Sequence, residues 1–142
     1  AVKDLAARFT LRRVTLEDMA APLAAFTQDH GHDPILLGQV FDETFTKMAQ
    51  QRKAIIKGIE DYSLKQIALA DRIDATRTDM NRLMQADQPD FDKVDAMEEQ
   101  LAWDERIYTD RRQSLTYVCE SPVLLEKRLY AIAQMLAAEV AE

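Results

Sequence analysis

The chain has 142 residues and a formal net charge of -7; 47% of it is hydrophobic but only 7% aromatic. That is one domain's worth of chain with a mostly aliphatic core, and its sign excludes a nucleic-acid backbone or an anionic bilayer as the main partner, since both need a positive face. Three glycines and four prolines leave little material for hairpin turns while good helix formers dominate, so residues 1–142 read as a single all-α domain.

The first segment, AVKDLAARFTLRR, carries Lys3, Arg8, Arg12 and Arg13 against Asp4 alone, so the remainder is more acidic than the total implies. Val2, Leu5 and Phe9 stand at helical spacing. This basic arm, residues 1–14, either lies on a membrane or packs and frays against its own domain; a short basic terminus favours the second. The chain opens on Ala1, as a mature form after signal cleavage or a trimmed one would. No apolar run of about 18 residues exists to span a bilayer.

A first, short helix is expected from TLED, where Thr15 and Asp18 resemble a capping box, with Pro22 kinking or restarting it. It ends in QDHGHDP, residues 28 to 34, which holds both histidines. Gly31 suits a left-handed cap, and Asp33 followed by Pro34 suits the N-cap and first position of the next helix. The same seven residues also offer ligands for nickel, cobalt, zinc or copper: His30 and His32, with Asp29 or Asp33, and Glu43 further along. A divalent transition metal is therefore the candidate cofactor, weighed against a plain turn in which each residue already has a structural duty.

A long second helix runs from Pro34 to about Ala86, with Gly38 and Gly58 as weak points. Steps of four and three visit Phe41, Phe45, Met48, Arg52, Ile55, Ile59, Tyr62, Gln66, Leu69, Ile73, Thr76, Met80 and Leu83, and ten of these thirteen are apolar. A stripe of that period demands a long partner helix. ADQPD, residues 86 to 90, breaks the chain; then Val94, Met97, Leu101, Asp104, Tyr108, Arg111, Leu115 and Val118 repeat the spacing, six of the eight apolar. The short connection forces antiparallel pairing, with Leu83 near Val94, Met80 near Met97, Leu69 near Tyr108 and Tyr62 near Leu115.

The third helix is expected to stop at YVCESP, where Ser121 caps and Pro122 starts a fourth, with Leu125, Leu129, Ile132 and Leu136 inward. The expected fold has four helices in total. It is an elongated antiparallel helical hairpin, the long second helix lying against the third and fourth, with the short N-terminal helix over one end.

Off the main seam, Trp103 and Ile107 share one face four residues apart. They point to a homodimer or to another protein partner. Cys119 reads as a small buried residue at the junction before the fourth helix, or as a thiol activated there. Met48, Met80, Met84, Met97 and Met135 read as core filling, while Arg52, Gln66, Thr76, Asp104 and Arg111 read as polar residues that fix register. No nucleophile, base and orienting group gather, and no glycine-rich phosphate loop exists, so the chain reads as non-enzymatic.

The order of short helix, long helix, Pro/Asp breaker, third helix, small break and fourth helix resembles the periplasmic Spy/CpxP-like family and its heavy-metal-sensor branch. PDFDKVDAMEEQ (89–100) and SPVLLEKR (121–128) look like that family's helix-three and helix-four openings. The LTxxQ signature is absent, with LTYVC and TLEDM near the expected places, and the chain is acidic where the chaperone branch tends to a basic concave surface. The resemblance implies a periplasmic, non-enzymatic helical dimer, stress- or metal-sensor-like. The alternative is a coiled-coil adaptor or scaffold, cytoplasmic or periplasmic, which presents Trp103 and Ile107 or the basic arm to another protein without a small ligand.

Overall fold

A computed structural model describes residues 1–141. Four helices make up the architecture: α1 (Val2–Thr10), α2 (Ala20–His30), α3 (Pro34–Met84) and α4 (Phe91–Val140). No strand occurs among the described residues, and no helix there is long and apolar enough to cross a membrane. All-α structure and the number of helices agree with expectation, but the chain is divided differently.

Two boundaries moved. The basic arm is itself a helix, α1, because Leu5, Ala6 and Phe9 fall on one face and are buried. TLED does form its cap, with the Asp18 N–H donating to Thr15 Oγ1 at 3.1 Å. It leads only into a run of turns through Met19, and α2 begins at Ala20. Pro22 then lies in the first turn, where its missing N–H has no intrahelical acceptor to lose.

The second correction is at Pro122. No fourth helix starts there; Pro122 lies inside α4, which runs unbroken from Phe91 to Val140. The apolar stripe explains why: Leu115, Val118, Pro122, Leu125, Leu129, Ile132 and Leu136 continue the alternating steps without a change of phase.

The chain forms two compact units, one of Ala1–Ile55 with Ser121–Glu142, the other of Ile56–Glu120. In the first, Leu5, Phe9, Met19, Leu23, Phe26, Leu37, Val40, Met48, Leu125, Ile132 and Leu136 form the core. Arg128 ties the N-terminal segment into it. Its guanidinium donates to the carbonyls of Phe9 (2.9 Å), Leu11 (3.0 Å) and Val14 (2.7 Å), closing the end of α1 and the turn after it. Burial pushes the Arg128 pKa down from the ordinary arginine value, yet an arginine remains charged at neutral pH. The apolar side of α1 is thus spent on the core, and the membrane reading of the arm loses the surface it needs.

The second unit is a two-helix hairpin of α3 and α4, joined by residues 85–90, with Asp90 capping α4 by accepting from the Lys93 N–H at 3.2 Å. Its pairing is antiparallel in the expected register. Gln66 Nε2 donates to the Tyr108 carbonyl at 3.0 Å, Arg72 binds Asp104, and Arg77 binds Glu105. Leu69, Ile73 and Val94 are buried on the seam, and so are the polar Gln66 and Asp104.

Candidate functional site

The turn QDHGHDP performs its structural duties. Gly31 has φ +78° and donates its N–H to the Thr27 carbonyl at 2.7 Å, a positive φ that favours glycine. Asp33 Oδ1 accepts from the Ile35 N–H at 2.9 Å as the N-cap of α3. His30 lies against Phe26 in a tilted contact, with ring centroids 4.8 Å apart and the planes at 51°. His32 turns the other way, its Nδ1 2.7 Å from the Glu139 carbonyl oxygen and 3.5 Å from the Glu139 carboxylate. Among the described residues no three His, Cys, Asp or Glu side chains gather to hold a metal ion. His30, His32, Asp29 and Glu43 are therefore not brought into one cluster, and the neighbour that His32 does find, Glu139, is 107 positions away.

Cys119 is exposed and lies in the body of α4 rather than buried at a helix start. This corrects the expectation, for the same reason as at Pro122: without a new helix there is no junction to bury it. Met19 and Met48 are fully buried core residues, whereas Met84 is exposed.

The polar residues of the hairpin seam have a definite geometry. Asp104, 1% exposed, receives Arg72 in a bidentate pair, Nη2 to Oδ1 at 2.7 Å and Nε to Oδ2 at 3.1 Å, and Gln100 Nε2 donates to Oδ1 at 3.0 Å. Such a planar fork fixes both partners. Arg111 instead lies over the Tyr62 ring, 5.8 Å from its centroid. Gln66 Oε1 is buried without a partner.

Trp103 is 59% exposed, and Ile107, one turn further on, is half-buried. Ile107 walls a hollow of about 270 Å³ with Lys65, Ala68, Leu69, Arg72 and Arg111. Trp103 walls a second, of about 440 Å³, with Ala96, Glu99, Gln100, Ala102 and Arg106. The chain Gln100–Asp104–Arg72 links the two. A third hollow of about 410 Å³ is lined by Ala70, Ile73, Asp74, Arg77, Glu105, Tyr108 and Thr109, and there the carboxylates outnumber the cation. Two grooves of one hairpin thus differ in sign.

Sequence reasoning found Trp103 and Ile107 but missed Lys65, Arg72 and Arg111 as a set. The signal is present: Lys65 and Arg72 are seven residues apart, hence on one stripe of α3, while Arg111 by its spacing reads only as a polar seam position. In the first unit, Phe45, Met48, Ala49, Leu125 and Leu129 line a hollow of about 400 Å³ together with the ion-paired Arg52 and Glu126. Comparison with known protein families, curated proteins and solved structures finds no match.

Proposed function

We propose that this chain is a non-enzymatic helical adaptor that captures another protein on the Trp103–Ile107 face of its hairpin unit. What carries the reading is the chain's one tryptophan, held mostly in solvent beside Ile107 and two hollows. Large rigid aromatics next to pockets are the residues that dominate protein–protein binding. Replacing Trp103 with a photo-crosslinking side chain tests it: irradiation in the source cells is expected to give protein adducts from position 103, and none from position 71 on the outer face of α3. Equal labelling from both positions removes the reading.

A periplasmic, stress- or metal-sensor-like dimer is the second reading. It is favoured by both histidines being exposed at one turn, with the Glu139 carboxylate 3.5 Å from His32. Nickel or zinc would then complete its shell with groups from a second copy. Its test is a metal titration followed by sedimentation: binding and dimerisation must appear together, and both must vanish in His30→Ala with His32→Ala.

A further inference from the structure

We infer that the partner on the Trp103–Ile107 face is an acidic amphipathic helix, its apolar side on Trp103 and Ile107 and its carboxylates facing Lys65 and Arg111. This rests on the adaptor reading and adds the chemistry of the partner. The groove lies between two antiparallel helices, and Ala68 leaves room in its wall, so the ridge of a third helix fits where a flat surface would not.

Charge selects among helices. The chain has 25 acidic against 18 basic residues, yet every charged residue lining the Ile107 hollow, Lys65, Arg72 and Arg111, is a cation, while the Trp103 hollow is balanced, with Glu99 against Arg106. Arg72 is neutralised by Asp104, so the uncompensated charge rests on the other two. Among the described residues neither Lys65 nor Arg111 meets a carboxylate within ion-pair distance, and Asp61, one turn before Lys65, is held by Lys57 at 2.9 Å. The hydrogen bond and charge of Asp61 raise the Lys57 pKa. On α4, Asp110 lies three residues beyond Ile107 and is followed at once by Arg111 and Arg112. A basic or neutral helix would leave two cations facing like charge or none, whereas an acidic one satisfies them and gains a salt-sensitive encounter rate.

Trp103, the only tryptophan, reports its own burial. The full chain is titrated with a tryptophan-free helical peptide bearing leucines at i, i+3, i+4 and i+7 flanked by glutamates, and with the same peptide carrying lysine for each glutamate. The acidic peptide is expected to shift Trp103 emission to the blue and saturate, with Kd rising at least about tenfold between about 0.02 and 0.5 M salt. The lysine peptide is expected to bind at least about tenfold more weakly. Lys65→Glu, a change at an exposed and unpaired position, is expected to erase the preference at unchanged helicity, and adding Arg111→Glu to reverse it. Equal binding of the two peptides, or no shift with either, overturns the inference. So does a blue shift produced by raising the protein concentration alone, which would assign the face to a second copy. Crosslinks from position 103 without any charge preference defeat this inference and leave the adaptor reading standing; an absence of crosslinks defeats both.

Discussion

Arg128 holds three main-chain carbonyls of the N-terminal segment at once. Charge-assisted bonds to backbone oxygens are individually strong but not additive, so Arg128→Ala is expected to cost about 2–4 kcal/mol. Lysine, with a compact ammonium in place of the fork, should recover the smaller part. Denaturant midpoints check both, and a loss below about 0.5 kcal/mol would show the clamp to be decorative. Arg72 and Asp104 make an asymmetric pair, the arginine 61% exposed and the carboxylate 1%. Arg72→Met strands a buried carboxylate and is expected to lose about 2–4 kcal/mol; Asp104→Leu leaves a cation that can reach water and should lie within about 1 kcal/mol of the parent or above it. The order of the two midpoints decides it, and the reverse order refutes the account. At this scale the sequence was readable where the duty is local. Gly31 and Asp33 announce a cap because the partners of a cap lie within four residues. Arg128 gave no such notice, since its acceptors lie 114 to 119 positions away and no spacing rule reaches that far.

Among the elements, the apolar stripe proved a better guide than the proline. The seam of α3 and α4 was legible because a period of 3.5 residues permits only one inward face, and the pairing of Gln66 with the Tyr108 backbone sits where that face places it. Pro122 taken alone reads as a stop, yet the stripe passes through it in phase and packing on both sides outweighs one lost hydrogen bond. Its penalty should still be measurable. Pro122→Ala is expected to stabilise the chain by about 1–3 kcal/mol and to slow amide exchange around residues 118–123, as read by thermal melts and hydrogen exchange; a destabilised variant would mean that the proline has a use not seen in the helix. At α1 the spacing of Leu5 and Phe9 already favours packing on the domain over a membrane; what the four cations in thirteen residues obscure is that the arm is a regular helix, with Ala6 buried beside them. The candidate site was half legible for a related reason. Trp103 and Ile107 stand out by type, but a groove lined by Lys65 and Arg111 exists only once both helices are placed.

For the whole molecule, the two compact units differ in how much they bury. The hairpin relies on Leu69, Ile73 and Val94 with Gln66 and Asp104, whereas the first unit has an eleven-residue core. Two packed helices alone are a marginal arrangement. Amides of residues 66–73 are therefore expected to exchange at least about tenfold faster than those of residues 37–48, by hydrogen-exchange mass spectrometry in the native chain. Equal protection would show that the hairpin draws stability from something outside its own seam. The clamp by Arg128 also sets an order of events. Because its three acceptors belong to residues 9 to 14, the first unit cannot close until residue 128 has been made, while the hairpin, contiguous in sequence, is free to zip earlier. Synthesis therefore passes through the whole hairpin while residues 9 to 14 still wait for Arg128.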